Sequence, residues 1–164
     1  MTTKRRSYEA GHKPKCLVVV DATTEWDRAV YYASRWARRV GGGVVMLHVI
    51  ETEEQSQQWL AVADIMRAEA YENANAALDR AAGRAHAIGT ITPERVIREG
   101  DATEQILDLI EQDVDIAMLV LSASPGAEGP GPLTTMLAKA VGTFPVPLVI
   151  VPGDLGDDDL DALS

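Results

Sequence analysis

The sequence predicts an α/β fold: a five-stranded, mostly parallel sheet with helices on both faces, a Rossmann-like three-layer sandwich. Three observations carry this. Short apolar, β-rich runs recur along the chain, at residues 15–20 (KCLVVV), 44–50 (VVMLHVI), 95–99 (RVIRE), 115–121 (DIAMLVL) and 146–151 (VPLVIV). The stretches between them carry apolar residues at helical spacing. Glycine or proline separates the two kinds of segment, as at Gly41-Gly42-Gly43 and Pro93. A strand–helix alternation of this kind closes through right-handed crossovers, which put helices on both faces of a parallel sheet.

The elements follow in order. Cys16 to Val20 is an unbroken apolar run suited to a strand covered on both sides. Thr24-x-x-Asp27 reads as a capping box, and Trp26, Ala29, Val30, Ala33, Ala37 and Val40 form the inner stripe of the helix it opens. The second strand leads into a long, alanine-rich segment, residues 53–88. Trp59, Val62, Ala63, Met66, Ala70, Ala77 and Ala81 give this segment its stripe. After the third strand, Asp101-x-x-Glu104 caps a helix that buries Ile106, Leu109 and Ile110. The fourth strand runs into SASPGAEGPGPLTT, residues 122–135, and a short helix through Leu133, Met136, Leu137 and Ala140 precedes the last strand.

Composition narrows the function. At 164 residues the chain is read as one domain, residues 15–152, between a basic flexible arm (1–14) and an acidic flexible tail (153–164). The net charge of −10 argues against nucleic acid or an anionic membrane surface as partner. The opening MTTKRRSYEAGHKPK lacks the apolar core of a signal peptide, and no run is long enough to span a bilayer, so a cytoplasmic protein is expected. The single Cys16 reads as a buried, inert thiol, and His48 as a satisfied histidine inside a strand.

Chemistry-bearing motifs are few. There is no Ser–His–Asp arrangement, no nucleophile elbow and no metal-ligand spacing, so no catalytic or metal residue is assigned and an enzyme is not the expectation. Neither GxxxxGK[ST] nor GxGxxG after the first strand is present. In parallel sheets ligands sit beyond the carboxyl ends of the strands, where the strand order reverses. The loops after Val20, Ile50 and Leu121 are therefore the places to look. Asp21 could either accept from a ligand there or simply begin a turn.

From about Lys15 to Pro152 the sequence resembles a universal stress protein domain. The resemblance rests on KCLVVVDATTEWDRAVYYASRWA, VVMLHVI, Gly100 after the third strand, DIAMLVLS, and the closing FPVPLVIVP. It implies a cytoplasmic stress-response or regulatory protein with an unidentified protein partner. It also implies a homodimer made by antiparallel pairing of the last strands, here Val146–Val151. One branch of the family binds ATP through a Gly-two-Gly-nine-Gly-Ser/Thr motif after the fourth strand. Here those positions hold Ser122, Pro125 and Thr134-Thr135. Glycine lets backbone approach phosphate closely, and proline has no N–H to give. No Lys or Arg occurs between Arg98 and Lys139, and Glu128 adds negative charge.

The leading expectation is thus a dimer without tight ATP binding. The alternative is an adenine-nucleotide switch with ATP as its only implied cofactor. Asp21, the backbone of Val49, Ser122, Ser124, Thr134 and Thr135 would then surround the ligand.

Overall fold

The computed structural model describes residues 3–21, 23–51 and 60–164, with the side chains of 60–62 excluded. Five parallel strands form one sheet in the order β3-β2-β1-β4-β5: β1 Lys15–Val19, β2 Gly43–Ile50, β3 Glu94–Glu99, β4 Ile116–Ala123 and β5 Leu148–Pro152. The helices are α1 Trp26–Val40, α2 Leu60–Gly89, α3 Ala102–Gln112, α4 Pro132–Lys139 and α5 Asp157–Leu163. The expected fold class is the observed one.

The alternation of side chains across the strands builds two cores. Cys16, Val18 and Val20 face α1 and α2 together with Val44, Met46, Ala77, Leu78 and Ala81. Leu17 faces the other way, with Val45, Leu47, Leu119, Ile106, Ile110 and Leu137 from the α3 and α4 side. Cys16, Leu17 and Val18 are all 0% exposed, the mark of a central parallel strand. Burial pushes the Cys16 thiol far above its ordinary range, which makes it the inert group the sequence suggests. His48 Nδ1 lies 2.7 Å from the carbonyl oxygen of Val20, so this histidine is satisfied within the fold.

The helix ends show which local rules held. Asp101 Oδ2 accepts from the Glu104 amide at 3.0 Å, the cap expected for α3. Gly41 ends α1 in the left-handed conformation at φ 69°, where a side chain would be strained. The capping box at Thr24 does not form: α1 starts one turn's edge later, its cap residue Glu25 makes no side-chain cap, and the hydroxyl that serves the first turn comes from Ser122.

The long helix α2 also departs from expectation. Residues 52–59, Trp59 among them, and the side chain of Val62 lie outside the described residues. Within them, Met66 is 53% exposed and Ile65 70%, while burial concentrates in Ala74, Ala77, Leu78, Ala81, Ala82 and Ala85. Length explains this. At 1.5 Å per residue the 30-residue helix is ~45 Å long, whereas the 8-residue β2 spans only ~26 Å. The amino-terminal turns of α2 therefore overhang the sheet.

Both ends of the chain, expected as flexible arms, are held against the domain. Arg6 donates its amide to Val114 at 2.9 Å, and Arg5 donates to the carbonyls of Ile110 and Asp113. A guanidinium at the carboxyl end of α3 meets unpaired carbonyls and the negative end of the helix dipole. At the other end, Asp157, Asp158 and Asp159 open α5, where acidic side chains favour the helix start. Leu160 is buried in the α1–α2 core. Seven residues with one inward side chain show no periodicity, so this helix was invisible in the pattern.

Ion pairs fasten α5. Arg28 bonds Asp27 and Asp157 at 2.5 and 2.8 Å, and Arg84 of α2 bonds Asp27 at 2.8 Å. Both guanidiniums lie over the Tyr31 ring, at 5.2 and 5.5 Å, and the Tyr31 hydroxyl donates to Asp161 at 2.6 Å. Burial raises the Asp27 carboxyl, but its bonds from Arg84 and Arg28 outweigh this and hold it below the usual 3.8. Stability from a depressed carboxyl is complete above its unfolded pKa and is lost as pH falls through the folded one. Asp27→Asn is therefore expected to destabilise by about 1 kcal/mol at pH 7, the range of partly screened pairs, with the difference from wild type shrinking below about pH 4. Urea melts at pH 7 and pH 3 check this; an equal loss at both would show that the carboxylate charge is not the cause.

Candidate functional site

Strand order reverses between β1 and β4, and in parallel sheets that reversal leaves a crevice at the carboxyl ends of the strands. The loop after β1, the end of β2 and the loop from β4 to α4 supply its walls. Each sequence-predicted residue can now be placed.

Asp21 is exposed at the end of β1, and its Oδ1 accepts from the Thr23 amide (2.8 Å) and the Thr23 hydroxyl (2.5 Å). One oxygen thus starts the turn, and Oδ2 makes no hydrogen bond among the described residues. Val49 lies past the last residue of β1 paired with β2, since the register ends at Val19–Leu47. The Leu47 carbonyl faces β1, accepting from Val20 at 2.8 Å, and that of Ile50 faces away, accepting from Gly100 at 3.0 Å. By strand alternation the Val49 amide and carbonyl turn toward the crevice, the edge-on pair that an adenine-type ring could meet.

The hydroxyl residues are placed differently. Ser122 is part of β4, and its Oγ accepts from the Ala29 amide at 2.8 Å on the α1 side of the sheet. Its carbonyl accepts from the Thr134 hydroxyl at 3.0 Å, and Thr134 is only 5% exposed. These two hydroxyls join β4 to α1 and α4. Ser124 closes its own loop: its amide donates to Pro130 at 3.1 Å, and its Oγ accepts from Gly126 at 3.3 Å. Thr135 is exposed on α4, with its amide bonded to Gly131. The geometry brings Asp21 and Val49 to the crevice and spends Ser122, Ser124 and Thr134 on the loop's own structure.

One residue that the motif reading passed over matters here. Gly131, the cap residue of α4, has φ 106°, and a Cβ placed on it would stand 3.5 Å from a carboxylate oxygen of Glu25. Glu25 thus reaches from the start of α1 to the amino end of α4, the place where an anionic ligand would gain from helix amides. Pro132 supplies no amide in the first turn. Asp21 and Glu25 thus put two carboxylates beside these turns, and the chain carries no Lys or Arg between Arg98 and Lys139. In the sequence Glu25 was hidden inside the apparent capping box, where attention fell on Thr24 and Asp27.

A cavity of about 430 Å³ lies between β2 and α2, lined in part by His48, Val49, Glu51, Asn73 and Arg80, so Val49 borders this cavity as well. Among the described residues no group of three His, Cys, Asp or Glu side chains is placed to hold a metal ion, and no helix is long and apolar enough to cross a membrane.

The fold is that of a Rossmann-like α/β domain whose strand order switches at β1. Residues 14–152 match the universal stress protein family, and the chain belongs to it. The fold is shared with solved structures. The universal stress protein UspA from Lactobacillus plantarum has TM-score 0.72 at 19% identity, covering 84% of this chain and 97% of that one. A universal stress protein in complex with cAMP has TM-score 0.62 at 22% identity, covering 84% and 96%. A family member from Arabidopsis thaliana with AMP bound has TM-score 0.56 at 21% identity, covering 85% and 91%. No curated protein sequence matches.

Because Ser122 supplies the only side-chain acceptor to the first turn of α1 described here, Ser122→Ala is expected to destabilise by ~1 kcal/mol, a fall in Tm of about 2–4 °C. Calorimetric melts check this. No change would mean that the hydroxyl is not a structural joint and is free for other use.

Proposed function

We propose that this chain is a regulatory universal stress protein, acting as a cytoplasmic homodimer, whose cleft does not hold ATP tightly. The observation that carries this reading is the Glu25 carboxylate beside Gly131 at the amino end of α4. A resident negative charge there competes with a polyphosphate, and the loop from Ser122 to Thr135 carries no Lys or Arg to compensate. The Val49 backbone and the free oxygen of Asp21 still suit a nucleoside. An adenine ligand with a single phosphate, in the class of the AMP and cAMP bound by two relatives, is therefore the fitting occupant, with the polyphosphate of ATP the weaker one.

Calorimetry on protein stripped of carried-over nucleotide tests this. Wild type should bind Mg²⁺–ATP no more tightly than about 1 mM and AMP more tightly than ATP. Glu25→Gln should strengthen ATP binding about three- to tenfold by removing the repulsion. Asp21→Ala should weaken AMP. Micromolar ATP binding by wild type would overturn the reading in favour of the ATP-dependent switch.

The dimer is supported by β5, an edge strand of the sheet with Ile150 42% exposed. Pro147 accepts from Leu119 and Gly153 donates to Ala123, so the alternate residues Leu148 and Ile150 turn their peptide groups outward, unpaired. An exposed apolar edge invites a second strand. Ile150→Asp is expected to give a folded monomer by sedimentation equilibrium, whereas an unchanged dimer would place the interface elsewhere.

A further inference from the structure

A ligand with one phosphate gains from a cation, and the loop from Ser122 to Thr135 carries none. The cavity of about 430 Å³ between β2 and α2 does offer one, Arg80, and its size is that of a small-ligand pocket. It adjoins the place given to the adenine ring in two ways. Val49 lines it. His48 lines it too, and this side chain is fastened through Nδ1 to the Val20 carbonyl, one residue before Asp21.

The helical wall of the cavity is one stripe of α2. Ala70, Asn73, Ala77 and Arg80 recur at three- and four-residue steps, so they share a face. The alanines leave the space open, and the two polar side chains frame it. Both are exposed. Arg80 makes no ion pair among the described residues, and the Asn73 side chain no hydrogen bond among them. Since α2 returns from β2 to the parallel strand β3, it runs against both, and its amino-terminal direction is toward the carboxyl ends of the strands. A long side chain on a helix leans that way. Arg80 therefore leans toward the end of β2, where Val49 and Glu51 stand. Glu51 also lines the cavity, and no ion pair joins it to Arg80. A carboxylate at the end of this strand suits ribose hydroxyls, which donate to it, and the guanidinium keeps its fork for a phosphate.

We propose that the single phosphate of the adenine ligand is held in the cavity between β2 and α2, by the Arg80 guanidinium and the Asn73 amide, and not by the loop after β4. This rests on the adenine-ligand reading proposed above, and it puts the phosphate on the opposite side of the base from Glu25.

Calorimetry with AMP and with adenosine, which lacks the phosphate, tests this. Wild type should bind AMP more tightly than adenosine. Arg80→Gln should weaken AMP about tenfold and leave adenosine within about twofold. Arg80→Lys, which keeps the charge without the fork, should fall between, and Glu25→Gln should leave AMP within about twofold. Circular dichroism confirms that each variant is folded. If wild type binds neither ligand, the adenine-ligand reading and this inference both fall. The reading stands and the inference is overturned by any of three results: AMP and adenosine binding equally to wild type, Arg80→Gln sparing AMP or weakening both ligands alike, or Glu25→Gln strengthening AMP as it does ATP.

Discussion

The structure depends on the complete burial of β1. With both faces apolar and strands hydrogen-bonded on both edges, this strand can exist only if helices arrive on each side. Chain order then does the rest. The crossovers through α1 and α2 lie on one face, and those through α3 and α4 on the other, and the change of face occurs at β1 itself. The crevice is the geometric residue of that change. Its chemistry is whatever the turns beside β1 and β4 happen to carry.

Here those turns carry acids and internal ties. Ser122 bonds α1 with its hydroxyl and α4 with its carbonyl, so the two helices flanking the crevice are fixed to one residue of β4. The loop after β4 is stiffened by Pro125, Pro130 and Pro132 and closed by Ser124 onto Pro130. Such a crevice is preorganised around its own groups. A ligand entering it must fit what remains, which is the end of β2 and the free side of Asp21.

Much of this was legible in the sequence, and the limits have physical causes. Strands were plain because unbroken runs such as CLVVV and AMLVL have few alternatives in a chain of this length. The Asp101 cap was plain because donor and acceptor are three residues apart. The cap of α1 was not, since Ser122 comes from 93 positions away and no local pattern can announce it. Glu25 was unreadable for the same reason: its neighbour Gly131 is brought near only by the fold. The held ends were missed because their anchors, such as Arg5 on α3 and Leu160 and Asp157 against α1, meet partners more than a hundred positions away.

The overhang of α2 gives one helix two mechanical characters. Its carboxyl half, around Leu78 and Ala81, is part of the core and can open only with the whole domain. The half that begins at Leu60 and carries the exposed Ile65 and Met66 has little beneath it, and relies on backbone hydrogen bonds and side-chain links such as Arg67 to Glu99. Several turns can therefore fray and re-form while the sheet stays intact. The exposed turns around Ile65 and Met66 can move without cost to the core, so this is the part of the helix where shape is cheapest to vary.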